Sequence, residues 1–265
     1  MTDLPAMPPL ADWQDRASYN YTHELTRDAW AWEFLRRNQA YRATWDDIRR
    51  GRRRARDQAT EISQRFGVLS SEDPQRTALD AKLLWREEAS SFVLPLHAES
   101  GSGTDESLIV DLSSLRKRAA RSASQGTTQH VLFAEHGRRL QLAIEGADLF
   151  GRVRLLTRAP LDPTTFKRQM TLLHQLAELT VHNRLPRRLY PPDPRGRRLA
   201  VVLRVLDGWL AKTSQRTIGE AVFNGDGGER DWRDCQCPLR ERLRLTLQRG
   251  RWLMEGGYLT LLQRY

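Results

Sequence analysis

At 265 residues, with 39% apolar side chains, eight Trp, seven Phe and six Tyr, the chain carries enough apolar material for two modest cores, and no run approaches the roughly 18 consecutive apolar residues of a membrane span. Met1 to Pro5 lacks a basic segment followed by an apolar run, and Cys235 and Cys237 are too few for a disulfide framework, so a cytoplasmic, reducing location is expected. A net charge of +10 and a pI near 10.3 favour a polyanionic partner such as nucleic acid, but with only four lysines the excess is arginine, which a GC-rich genome also produces, so the position of the charge must decide.

From Asp12 to about Phe66 the pattern predicts helix. Leu25, Ala29, Trp32 and Arg36 share one stripe flanked by Trp30, Phe34 and Arg37, and Thr26-Arg27-Asp28 marks a start, so an aromatic-rich helical hairpin is expected. Asp46 to Arg56 carries Arg49, Arg50, Arg52, Arg53, Arg54 and Arg56, a charge run that reads as a solvated helix face before it reads as a nucleic-acid site. Ser70 to Pro74 breaks the helix. Glu99 to Asp105 and Ser122 to Gln129 are small and polar and predict loops. Around them lie strand-like runs at Phe92–Leu96, Leu108–Leu112, His130–Ala134, Leu140–Ile144 and Val153–Leu156, with a hairpin turning at Gly137. A small central antiparallel β unit follows. Asp162 then caps a helix with Pro163 at its first position, running through Phe166, Met170, Leu173, Leu176, Leu179 and Val181 to Leu185-Pro186. Pro186 to Pro194 reads as an extended linker. The expected fold is α+β, mainly α, divided into a helical unit over 8–70, a β-containing region over 71–160, a helix and linker over 161–190 and a C-terminal unit over 191–265.

The C-terminal unit carries the functional constellation. A helix from Arg197 through Leu199, Val202, Leu203, Leu206 and Leu210 is followed by Ser214-Gln215-Arg216 and a short capped helix with Ile218, Ala221 and Val222 facing inward. That is how the first helix of a helix-turn-helix is written, its capped start meeting a phosphate and the small Ala221 admitting a neighbouring helix. Asn224 to Asp234 is too long for a standard turn, so an extended turn is required. Pro238 opens the next helix, in which Leu239, Leu243, Thr246, Leu247, Gly250 and Met254 form one stripe and Arg240, Arg244, Gln248 and Arg251 an adjoining ridge, with Arg242 and Arg249 on the other flank. Pro238 to Arg251 holds five Arg against Glu241 alone. Such a rod suits the major groove: leucines anchor it while Arg pairs with guanine, Gln with adenine, and both reach phosphates. Gly256-Gly257 stops it, and Leu259 to Tyr265 folds back.

Leu206-Asp207-Gly208-Trp209-Leu210-Ala211, Thr217 to Phe223, Asp231-Trp232, Leu239-Arg240 and Met254 to Tyr258 resemble a proteobacterial extended-turn helix-turn-helix family found on mobile elements. Asp12-Trp13, Tyr19, Tyr21, Ala29 to Asn38 and Tyr41 resemble its usual partner, a transcriptional-regulator-like domain. The paired order is similar to the FseA-type activators of excision and transfer of integrative and conjugative elements. The resemblance implies that the basic C-terminal face binds double-stranded promoter DNA, with Arg240, Arg242 and Arg244 as candidates, and that Trp30, Trp32 and Phe34 are docking or core residues. It also implies an acidic antiactivator as a competing partner, and RNA polymerase is a further expected partner. The expected DNA-binding set is Ser214, Gln215, Arg216, Arg240, Arg242, Arg244, Gln248 and Arg251.

Rival classes fare worse. His130, His136, His174 and His182 have no metal spacing, no glycine-rich phosphate loop follows a strand, and neither Ser nor Cys sits in a nucleophile motif, so no catalytic residue, metal or cofactor is assigned. Asp226, Glu229, Asp231 and Asp234 read as a solvated acidic turn before a cation site, and Cys235 and Cys237 as small buried hydrophobes before a redox sensor. The alternative, a protein-binding antiactivator that touches no DNA, favours an acidic module, whereas Pro186 to Tyr265 holds sixteen Lys and Arg against nine Asp and Glu.

Overall fold

The computed structural model describes residues 11–51, 62–101, 109–158, 163, 165–223 and 238–263. The N-terminal stretch is divided. A 3-10 run, Arg16–Glu24, is capped by Asp15, whose carboxylate accepts from the Ala17 N–H; helix α1 spans Arg27–Leu35 and α2 spans Gln39–Arg49. Thr26 is the N-cap of α1 as expected, and Asn38 caps α2 by accepting from the Tyr41 N–H at 3.0 Å. The expected stripe on α1 is replaced by burial on every side: Asp28 to Leu35 are all buried, the environment of a helix apolar around its circumference. Arg49 and Arg50 are exposed and pair with Asp46, which fits the solvated face; Arg52, Arg53, Arg54 and Arg56 lie outside the described residues.

The described residues in the middle of the chain form one six-stranded sheet: β1 Val93–Ser100, β2 Val110–Asp111, β3 Ala119–Gln125, β4 Thr128–Glu135, β5 Arg138–Gly146 and β6 Arg152–Thr157. Their order is β2-β6-β1-β5-β4-β3, and the expected purely antiparallel unit is corrected, because β1 runs parallel to β5. The Gly137 hairpin is present, with His136 at φ 49° and Gly137 at φ 79° between the paired Glu135 and Arg138, the positive dihedrals that a tight two-residue turn needs. Two expected loops are also corrected. Glu99 and Ser100 end β1, and Ser122 to Gln129 is largely β3 and the start of β4, turning at Gly126. β3 is polar because it is an edge strand, so small and hydrophilic side chains suit it. Gln141 on β5 is buried yet satisfied, its amide accepting from the Trp85 N–H at 2.9 Å and donating to the Trp85 carbonyl at 2.7 Å.

Helix α3 spans Phe166–His182 with Thr165 at its cap, so Pro163 precedes the helix and does not open it; Asp162 is outside the described residues. Leu172, Leu176 and Leu179 bury one face against the sheet, and Asn183 ends the helix in the left-handed region at φ 52°. The expected Pro186 to Pro194 linker is in fact packed: Tyr190 and Asp193 are buried, and the Asp193 N–H donates to the Leu25 carbonyl at 3.0 Å. Helices α4 Gly196–Leu210, α5 Gln215–Phe223 and α6 Pro238–Trp252 follow, then a π-helical turn, Leu253–Gly257, kinked at Gly256, and α7 Leu259–Gln263.

The described residues form three apolar cores. One joins α1 and α2 to Phe66, Trp85, α4, the π turn and α7; a second lies between the sheet and α3; a third consists of Trp13, Val205, Ile218, Leu243 and Leu247.

Candidate nucleic-acid interface

Helices α4, α5 and α6 pack around the third core, and glycines set their spacing. A Cβ on Gly208 would lie 2.9 Å from Ile218 Cγ1 and 3.2 Å from the Trp13 ring; one on Gly250 would lie 3.3 Å from Leu206 Cβ and Val202 Cγ1. The expectation that Ala221 faces inward is corrected: Ala221 is exposed, and the close approaches occur at Gly208 and Gly250 instead. Ser214 Oγ accepts from the Thr217 N–H at 3.2 Å, capping α5. On α6, Leu239, Leu243, Leu247, Gly250 and the following Met254 are buried, whereas Arg240, Arg242, Arg244, Gln248 and Arg251 are exposed.

Arg244, Arg251, Arg242 and Arg216 make contacts at the exposed surface. Arg244 donates to Glu241 at 2.8 and 2.7 Å, an exposed pair within one helix. Arg251 lies 3.7 Å from Glu255 and 5.1 Å from the Trp209 ring centroid, and Arg242 lies 4.5 Å from that of Phe223, which ties it to the end of α5. Gln215 and Arg216 are exposed on the first turn of α5, where Arg216 pairs with Glu220 at 2.7 Å. Leu245 and Trp252, half-exposed, share the outward side of α6 with Gln248.

Behind this surface is a buried polar cluster with no counterpart in the sequence reading. Arg37 grips Asp207 of α4 through Nε–Oδ1 at 2.6 Å and Nη2–Oδ2 at 2.7 Å, and the Tyr19 hydroxyl donates to the same carboxylate at 2.5 Å. Glu33 accepts from Arg36 and Arg37, each at 2.7 Å, from the Tyr21 hydroxyl at 2.9 Å and from the Ala78 N–H at 2.8 Å. Burial pushes the Glu33 carboxyl up, but Arg36 and Arg37 outweigh it and hold it at about 2. Burial beside these carboxylates drives the Tyr19 hydroxyl well above its ordinary range and Tyr21 up to about 12. Arg204 adds a second tie, donating to the Trp13 and Gln14 carbonyls at 3.2 Å each. A helix holding Glu33, Arg36 and Arg37 at i, i+3 and i+4 among aromatic neighbours was the available signal.

Trp30, Trp32 and Phe34 are fully buried in the first core, together with Leu199, Leu203 and Leu206 of α4. Trp30 stacks on Phe34 at 6.2 Å, and Trp32 donates to the Arg76 carbonyl at 3.0 Å. His130 lies on β4, His136 in the hairpin turn, and His174 and His182 on α3; among the described residues no group of three or more His, Cys, Asp or Glu is placed to hold a metal ion. Asp226, Glu229, Asp231, Asp234, Cys235 and Cys237 lie outside the described residues. No helix among the described residues is long and apolar enough to cross a membrane.

Two family models match the chain. Residues 158–263 match a RovC-type family described as "T6SS, Transcription factor, DNA binding domain", and residues 12–69 match the proteobacterial transcriptional regulator-like domain. No curated protein matches. Both families are regulators rather than enzymes, and together they give the chain the class of a DNA-binding transcription regulator.

Proposed function

We propose that the chain is a transcriptional activator that binds double-stranded promoter DNA through an extended-turn helix-turn-helix, with α5 as its first helix and α6 in the major groove. The observation that carries this reading is the exposed basic ridge of α6 opposite a leucine-filled seam. Arg240 and Arg244 read guanine edges, Arg244 exchanging Glu241 for the base, and Gln248 reads adenine. Arg242 and Arg251 contact phosphates, as do Ser214, Gln215 and Arg216 at the start of α5.

The division into 8–70, 71–160, 161–190 and 191–265 is then one of labour, with Trp30, Trp32 and Phe34 docking the N-terminal unit against α4. The protein works in the cytoplasm on nucleoid DNA. Similarity to FseA-type activators supports excision or transfer genes of a mobile element as targets, while the description of the matched C-terminal family supports type VI secretion genes. Activation proceeds through RNA polymerase, and an acidic antiactivator competes for the N-terminal unit.

Footprinting of the full-length protein upstream of both kinds of gene, at several salt concentrations, tests the reading. Each of Arg240→Ala and Arg244→Ala is expected to cost roughly tenfold or more in specific affinity. Unchanged affinity in both variants would remove α6 from the interface. Absence of any protected site would favour the alternative, a protein-binding regulator that touches no DNA.

A further inference from the structure

A cavity of about 560 Å³ lies where the first turn of α1, the start of β1, the start of β5, α3 and the chain leading into α4 meet. Its size is that of a small-molecule site, for which roughly 300–1,000 Å³ is usual. Phe92, Leu172, Leu189, Pro191 and Pro192 make much of the wall apolar.

The polar part of the wall is basic. Arg27, Arg139, Arg168, Arg188 and Arg195 line it, against Asp28 and Asp193. Arg195 is already held by Asp193 at 2.8 and 3.0 Å, Arg188 is held by Glu178, and Arg168 lies 3.8 Å from the Phe92 ring centroid. Arg139 donates one Nη to the Ala78 carbonyl and keeps the other without a partner among the described residues. Burial lowers the proton affinity of Arg139, so an anion beside it would relieve an incompletely compensated charge.

Two more polar groups on the wall are in the same condition. Gln175 donates to the Leu189 carbonyl at 2.9 Å, while among the described residues neither its Oε1 nor the Tyr190 hydroxyl has a partner; both residues are buried. Buried polar atoms are normally satisfied, and these three belong to three different elements around one space. Arg139 asks for an anionic oxygen and Gln175 Oε1 for a donor, whereas the Tyr190 hydroxyl accepts or donates.

We infer that the cavity binds a small organic acid, a carboxylate on a ring-sized apolar body that also carries a hydroxyl or amino donor. Such a ligand would bridge the sheet, α3 and the segment entering α4. The inference does not rest on the DNA-binding reading, and its test uses the full-length protein without DNA.

Calorimetric titration with 4-hydroxyphenylacetate is expected to show saturable one-to-one binding. 4-Hydroxyphenylacetamide, which lacks the charge, and inorganic phosphate, which lacks the body, are each expected to bind at least tenfold more weakly. Thr171→Trp fills the space from the half-buried α3 side and is expected to abolish binding, and Tyr190→Phe to weaken it severalfold. Absence of saturation with the acid, equal binding of the amide or of phosphate, or undiminished binding to a folded Thr171→Trp protein would overturn the assignment. The acid–amide comparison is made on the unsubstituted protein and does not depend on any variant folding.

Discussion

Arg37 and Asp207, 170 residues apart, are both withdrawn from water and satisfied by each other and by Tyr19. Taking both charges from solvent is expensive, so the pair contributes less to net stability than its geometry suggests, but removing one member strands the other. Arg37→Met is therefore expected to cost about 3–5 kcal/mol, read from the urea midpoint, while Arg244→Ala, taken from an exposed pair, leaves that midpoint unchanged. Glu33 adds a dependence on acid. Its carboxyl sits at about 2 against an ordinary 4.5, and a carboxylate more acidic in the folded state stabilises it above the unfolded value, losing that contribution as protons fill the folded site. The gap in stability between the natural protein and Glu33→Gln should thus be full above pH 4.5 and close progressively towards pH 2. A gap constant across that window would show that Glu33 is not held ionised by Arg36 and Arg37.

Helix α6 depends on the absence of a side chain at Gly250, where a Cβ would meet Leu206 and Val202 of α4 at 3.3 Å. Gly250→Leu is expected to push the two helices apart at a cost of about 1–3 kcal/mol and to weaken DNA binding together with it; a variant as stable as the natural protein would show that α6 packs elsewhere. This element was legible in the sequence because its leucines repeat at helical spacing while its arginines stay off the buried seam. The Gly137 hairpin was legible for a similar reason, turn chemistry between two apolar runs. Other elements were not. β3 reads as a loop because an edge strand is stabilised by backbone pairing that leaves little trace in side-chain periodicity. The parallel pairing of β1 with β5 is set by partners 48 positions apart, such as Val93 with Gln141, and no local pattern encodes it. The full burial of Arg36 and Arg37 went unread because charged residues are seldom fully buried unless paired, and their partners, Glu33 excepted, come from other elements. Within the candidate interface the outward arginines of α6 were readable, whereas Asp207 behind them was not.

At the scale of the whole molecule the terminal regions interlock. Trp13 completes the core beneath α5 and α6, and Arg204 holds the backbone of Trp13 and Gln14 against α4. At the other end α7 buries Leu261 and Leu262 in the first core, Ser91 donates both its N–H and its hydroxyl to the Leu262 carbonyl at 3.0 and 2.7 Å, and the Tyr258 hydroxyl donates to the Phe66 carbonyl at 3.1 Å. The basic helices therefore complete their cores with residues from the beginning and middle of the chain. A fragment of residues 191–265 would expose Leu199, Leu203, Leu206, Leu253, Leu261 and Leu262, the face that α1 and its neighbours cover in the full chain. Exposing so much contiguous apolar surface favours association or a loosely packed state. The expected outcome is a fragment that keeps helical circular dichroism, binds a hydrophobic dye, melts without a sharp transition and retains only the salt-sensitive, sequence-independent part of DNA affinity. The full chain should lose its secondary structure and its tryptophan signal at one common midpoint. A fragment that melts cooperatively as a monomer and gives the full-length footprint would mean that the shared core is dispensable for positioning α6.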